Sequence, residues 1–281
     1  MLPKNTLRAL ALLGATLAAA PSQAAFFSFV ENPEPEWLKN FYVKAGFTII
    51  APDVDSGPLE FYDLNPTAQL ALDPGPYAGT GTDVSTEWNP SLTIGYILPW
   101  GDRHWSVETI LAPPFEFEFY ATGRARHEPL ASHTRGGNVE TNIPALGKNL
   151  GKTMMLPPTV TLVYSFFPNA IYRPYVGVGA SYVFSYDEEI TNREMTRIAE
   201  PDIEVTDKLA WVLQVGIDID LYKNFFSSLD LKYVGGAKVE AEVTDIWLRT
   251  DEPLENAYIG KSIVEQELNP WVLQLNLGFR F

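Results

Sequence analysis

Residues 269–281 read NPWVLQLNLGFRF. From Trp271 onward the apolar side chains fall on every second position: Trp271, Leu273, Leu275, Leu277, Phe279 and Phe281. Val272, Gln274, Asn276, Gly278 and Arg280 occupy the positions between. A period of two is the mark of an extended strand with different surroundings on its two faces. Chain ends fray unless something holds them. A strand that alternates to its last aromatic residue predicts an end held by pairing.

The pattern recurs in seven earlier segments: 40–50, 88–98, 104–119, 156–166, 172–186, 208–221 and 226–243, with 264–281 the eighth. In 208–221, Leu209, Trp211, Leu213, Val215, Ile217 and Ile219 oppose Lys208, Gln214, Gly216, Asp218 and Asp220. Each segment is long enough for the ~9–11 residues of a tilted membrane strand. Short connections near Pro99–Asp102, Pro168–Ile171 and Tyr222–Asn224 alternate with long ones at 51–87, 120–154, 187–207 and 244–263. Short turns at one end and long loops at the other predict an all-β fold: an eight-stranded antiparallel transmembrane β-barrel of the cell outer membrane, with periplasmic turns and extracellular loops. Trp88, Trp105, Tyr164, Phe166, Tyr172, Tyr186 and Trp271 stand at segment ends, where interfacial girdles belong.

A soluble β-sandwich or lipocalin-like barrel would show the same period, with its apolar parity turned inward. The polar parity here is rich in Gly, Ser and Thr. Small residues of that kind suit a narrow barrel interior, which favours the membrane reading.

The first 24 residues are read as a secretory signal peptide, leaving 25–281 as the barrel domain. Lys4 and Arg8 precede the small apolar run ALALLGATLAAA at 9–20, and Ser22 and Ala24 suit a peptidase site. A dozen apolar residues cannot cross ~30 Å of hydrocarbon as a helix. The 281 residues carry a net charge of −15, more negative still without Lys4 and Arg8. Such a surface repels nucleic acid. Without cysteine there is neither a disulfide nor a thiolate metal site. No His or carboxylate cluster has ligand spacing, and no cofactor or metal is expected. His104, His127 and His133 lack a partnered nucleophile or carboxylate pair, so catalysis is not expected.

Eight strands enclose a space barely wide enough for side chains. The inward parity nevertheless carries Lys44, Glu108, Arg173, Asp218, Asp220, Asp230, Lys232 and Arg280 near the short-turn half. Four positive and four negative groups cannot sit unpaired in such an enclosure. They predict a salt-bridged plug, and so no wide aqueous pore.

The wall contains Pro113 and Pro114 in the third segment and Pro157 and Pro158 in the fourth. Proline donates no ladder hydrogen bond. If the hairpin begins by pairing residues near 103 and 167, the two pairs face each other. They either end the strands where the loops begin, or thin the wall into a lateral opening. Phe115, Phe117, Met154, Met155 and Leu156 would surround that opening. Among the loops, 51–86 is acidic, and 120–154 is basic through Arg124, Arg126, Arg135, Lys148 and Lys152. Loops of opposite sign can pack into a cap, or the basic loop can meet lipopolysaccharide phosphates.

Three stretches resemble the outer-membrane protein W (OmpW) family, which includes AlkL-like uptake proteins. They are LPPTVTLVYSFFPNAIYRPYVGVGASY at 156–182, QVGIDIDL at 214–221, and NPWVLQLNLGFRF at 269–281. VETILAPPFEF at 107–117 fits the family's third strand. The first two long loops look larger than is usual in the family. The resemblance implies a passive channel for small hydrophobic molecules, with lateral exit into the membrane. The terminal Phe281 resembles the signal read by the outer-membrane assembly machinery. A surface receptor or structural envelope barrel, acting through its loops, is the competing reading.

Overall fold

The computed structural model describes residues 36–281, except 136–138, 142, 144, 193–201, 206–207 and 249–256. The segment read as a signal peptide lies outside the described residues, as do Arg193 and Arg197 of the third long loop.

In chain order the strands begin with β1 (Phe41–Ala51), β2 (Val54–Ser56), β3 (Leu59–Tyr62), β4 (Gly75–Tyr77), β5 (Thr80–Val84) and β6 (Glu87–Ile97). β7 (Trp105–Leu111), β8 (Phe115–Gly123), β9 (Asn149–Leu156), β10 (Thr159–Ser165) and β11 (Tyr172–Glu189) follow. The last are β12 (Asp202–Val205), β13 (Lys208–Tyr222), β14 (Phe225–Gly235), β15 (Ala237–Leu248), β16 (Ala257–Leu268) and β17 (Trp271–Arg280).

Eight of these close a barrel in the order β10–β7–β6–β1–β17–β14–β13–β11, and β10 pairs with β11 to complete the ring. Every pairing in it is antiparallel. The terminal strand is the closing one. β17 runs against β1 from Tyr42↔Arg280 to Ala51↔Trp271 and against β14 on its other side. The Phe281 amide donates to Phe41 O at 3.2 Å, so even the last residue is tied. The first and last barrel strands thus pair with each other, so neither is left as a free edge.

The two faces are inverted relative to a soluble barrel. Leu92, Val160, Leu162, Val176, Val178, Leu213, Val215, Leu229 and Leu277 are exposed on the outside, and Leu209 reaches 69% exposure. Lys44, Thr93, Glu108, Gln214, Asp230, Lys232 and Gln274 are buried inside. Leaving a Val or Leu side chain in water forgoes roughly 1.5–3 kcal/mol each. That continuous band is stable only in hydrocarbon, and it removes the sandwich and lipocalin alternative. Aromatic contacts mark both rims. Trp105, Tyr164 and Phe166 meet at the short-turn end, and Trp211, Tyr233 and Trp271 at the other.

Close approach to the interior explains the glycines of the inward parity. A Cβ on Gly95 would lie 2.0 Å from the Tyr42 ring, and one on Gly278 would lie 2.2 Å from the Phe226 ring. Each bulky inward aromatic therefore lies over a neighbouring strand that has no side chain there.

Four of the expected segments are not single strands. The expected segment 226–243 divides at Gly236 (φ +79°) into β14 and β15, and 264–281 divides at Asn269–Pro270. The third and fourth segments divide at their proline pairs. The expected long loops also hold structure of their own. β15 and β16 form a hairpin, extended by β12 on one side and by β2, β3 and β4 on the other. β5, β8 and β9 continue the wall upward beside the distal part of β11. An apolar core joins three of the four loops: Leu59, Phe61, Leu64, Ala68 and Leu72 pack with Ala125, Ile143, Ala257 and Ile259. A cap was expected from opposite loop charges. Arg135–Asp73 is such a contact, but both side chains are more than half exposed, so the apolar core contributes more.

Candidate functional site: an apolar cavity above a polar plug

All eight expected plug residues converge inside the lower barrel. Lys44 Nζ lies 2.6 Å from Glu108 Oε1 and 3.7 Å from Asp218 Oδ1. Arg280 bridges Asp218 at 3.3 Å and Asp220 at 2.8 Å, and Arg173 reaches Asp220 at 2.5 Å. Lys232 pairs with Asp230. Both guanidiniums lie over the Phe226 ring, Arg280 at 3.9 Å and Arg173 at 5.7 Å from its centroid. The ring is wholly buried and fills the space between the charges.

Neutral groups tie these pairs together. Tyr42 donates to Glu108 at 2.6 Å, and Tyr175 to Asp230 at 2.7 Å. The Gln214 amide donates to Glu108 at 2.9 Å and to Asp230 at 2.6 Å. Lys232 donates to Gln274 Oε1 at 2.6 Å, Gln274 to Thr48 at 2.8 Å, and Thr48 to Ser91 at 2.7 Å. The network thus rises without a break from the short turns to mid-barrel. Buried charges persist only when paired and hydrogen-bonded in this way. The inward parity of Gln214 and Gln274 was visible in the sequence, but charge balance alone did not single them out. Tyr42, Tyr175 and Phe226 share the inward parity, but an argument from charge balance did not reach them.

Directly above lies a cavity of about 190 Å³. Thr48 and Lys232 border it below, and Ile50, Val84, Phe115, Phe117, Met155, Val234 and Val272 line it. Its side wall is made by Ile110, Leu111, Ala112, Leu156, Pro157 and Pro158.

The wall is interrupted there. β7 and β10 pair from Trp105↔Tyr164 to Val160↔Thr109. Pairing resumes between β8 and β9 at Phe115↔Met155. Residues 110–114 and 156–159 have no ladder partners across that stretch, and both proline pairs fall within it. The facing arrangement expected from the hairpin register is therefore present. The prolines separate β7 from β8 and β9 from β10 without ending the sheet, which resumes beyond them. Leu111 is half-exposed on the outer face and also borders the cavity, so one side chain stands between the cavity and the wall's outer face at this point.

The residues expected around the opening divide. Phe115, Phe117 and Met155 are buried against the cavity, and Leu156, Pro157 and Pro158 form its rim. Pro113 and Pro114 are exposed at the interruption without lining the cavity. Met154 is in register with Glu116 and Tyr186, on the sheet face opposite Met155, and does not line it. Alternation places neighbouring residues on opposite faces.

His104 Nδ1 lies 2.6 Å from Ser165 O with its ring stacked on Tyr164, and the backbones of His133 and Glu140 pair in an isolated antiparallel β-bridge. Among the described residues no group of three His, Cys, Asp or Glu side chains could hold a metal ion.

The model of the OmpW family matches residues 39–281. Outer membrane protein W of Vibrio cholerae is 27% identical over 271 residues, 96% of this chain and 98% of that protein. The structure of the outer membrane protein OprG from Pseudomonas aeruginosa aligns with a TM-score of 0.64 at 20% identity, covering 86% of this chain and 95% of that one. The outer membrane protein AlkL, solved in DMPC lipid bilayers, aligns with a TM-score of 0.50 at 20% identity, covering 89% and 94%. At such identities the two structures speak for the shared fold. The family match spans the barrel described above from its first strand to its last residue, and the chain belongs to the OmpW family of outer-membrane β-barrels.

Proposed function

We propose that this barrel is a passive conduit for small apolar molecules, taking them from the outside and releasing them sideways into the outer membrane. One observation supports the reading: an apolar cavity lies between the plug below and the wall residues of the interrupted ladder, Ile110, Leu111, Leu156, Pro157 and Pro158. The plug blocks the route straight through. An apolar solute gains by leaving toward hydrocarbon rather than crossing a charged network. The volume sets the solute's size. A dry apolar cavity of roughly 150 Å³ holds benzene, so about 190 Å³ suits a single ring or a short aliphatic chain.

The test is uptake by outer-membrane vesicles with and without the protein, using a medium-chain alkane and a polar probe of similar size. Faster entry of the alkane alone is the expected result. Replacing Pro113, Pro114, Pro157 and Pro158 with valine restores ladder donors and should slow that entry. Equal alkane entry with and without protein would remove the conduit.

The folded cap supports a second reading, a surface receptor or structural barrel acting through its loops. Its apolar core orders segments that a conduit could leave loose. In that case shortening 51–86 and 120–154 abolishes partner binding and leaves permeability unchanged. Lipopolysaccharide is the partner whose phosphates suit the basic loop.

A further inference from the structure

An opening in a lipid-facing wall has a cost that the prolines do not remove. They lack N–H groups, but each keeps a carbonyl, and an unpartnered carbonyl in hydrocarbon is strongly disfavoured. Such groups would draw the two rims together or shift their register until donors were found. Three of the four proline carbonyls are already supplied. On one side Asn89 Nδ2 donates to Pro114 O at 2.9 Å. On the other, Thr159 Oγ1 donates to Pro157 O at 3.0 Å. Thr159 Oγ1 also lies 3.0 Å from Ser181 Oγ, which is 3.4 Å from Pro158 O. The Tyr182 amide donates to Pro158 O at 3.1 Å. Thr159 and Ser181 are buried, and both line the cavity. Asn89 stands on β6, next to β1, and Ser181 on β11 beyond β10. The donors thus come from within each rim or from the strand behind it, and none crosses the gap.

We infer that Asn89 and Thr159, the latter buttressed by Ser181, are positioning residues that hold the lateral opening by satisfying the rim carbonyls in place. This rests on the conduit reading for its functional consequence, but not for its structural one. The opening is then a stable feature of the wall, and solute passage needs no unzipping of paired strands.

The chain has no cysteine, so spin labels introduced at Leu111→Cys and Leu156→Cys would be the only pair present. Their distance distribution in bilayers reports the gap without any transported solute. With Thr159→Val and Ser181→Ala, the distance should shorten. Thr159→Ser, which keeps the hydroxyl, should restore the starting distribution. Asn89→Leu should act in the same direction from the other rim. Apolar uptake should fall on the order of tenfold in the hydroxyl-free variant, the factor set by one lost buried hydrogen bond. Single substitutions carry the same comparison if the double variant does not assemble. An unchanged distance distribution in T159V, S181A and N89L overturns the proposal, whatever the uptake. A shortened distance in a protein that never conducted the alkane retires the conduit and leaves the positioning role standing.

Discussion

Lys44 Nζ and Glu108 Oε1 lie 2.6 Å apart in the barrel interior, with 2% and 3% of their side chains exposed. The two residues are 64 positions apart in sequence and on strands separated by β6. Their contact forms across β6, where Lys44 pairs with Thr93 and Glu108 with Gly95, once the three strands are in register. Removing one partner strands the other charge in a site without water, which costs about 3–5 kcal/mol. Lys44→Met should lower unfolding free energy by that amount in a urea titration of the bilayer-inserted protein. Adding Glu108→Gln should recover most of the loss.

Phe226 is the filler of the lowest plug layer, with Arg280 against its face and Gly278 beneath its edge. Phe226→Ala leaves a void beside charged groups, and water will occupy it. Single-channel recordings should show wild-type barrels closed to small ions and the variant leaking. Gly278→Val acts oppositely, because its side chain meets the ring. A lower yield of folded barrel on heat-shifted gels is the expected result.

The extracellular cap has its own core and should fail independently of the barrel. Phe61 is buried and stacks edge-on against Tyr77, with ring centroids 5.1 Å apart. Phe61→Ala should cost the cap about 3–5 kcal/mol. Proteases should then cut within residues 52–86 while the barrel stays resistant.

Lys152 joins the raised part of the wall, 3.4 Å from Glu116 and 3.3 Å from Glu189. Its hydrogen bonds to Glu189 and Glu116 raise its pKa above the ordinary lysine value. The sign follows: the contribution is complete below the unfolded-state pKa and is lost as pH rises through the higher folded value. Amide exchange in 149–156 should therefore be insensitive to pH from 6 to about 9, apart from intrinsic chemistry. Because the group is exposed, 1 M salt should weaken the clamp.

Phe281 is held by the Phe41 carbonyl and by its ring contact with Phe279, centroids 5.2 Å apart. Deleting it leaves most of β17's pairing intact. If the terminal aromatic is also read during insertion, assembly in cells should fall severalfold while refolding of purified chain in detergent changes little. Equal losses in both settings would assign Phe281 a purely structural role.

The sequence by itself determined the eight wall strands, the parity that faces inward and the identity of the plug charges. Side-chain parity in a strand is a local property, so Lys44, Glu108, Arg173 and Asp218 could be assigned to the interior before any pairing was known. The hairpin register even placed Pro113–Pro114 opposite Pro157–Pro158. What parity could not reveal was distance across the barrel. Gln214 joins Glu108 to Asp230 only because closure brings three separate strands around one small space. Met154 and Met155 look alike in sequence, and only the resumed pairing with Glu116 and Phe115 separates them. The cap core unites Phe61, Ala125 and Ile259 from three loops, the first two of which had drawn attention for their charge instead. Tertiary structure alone decided whether the proline pairs ended the sheet or interrupted it. The answer lay in the pairing that resumes at Phe115↔Met155, beyond the point where β7 and β10 part, which side-chain parity does not reveal.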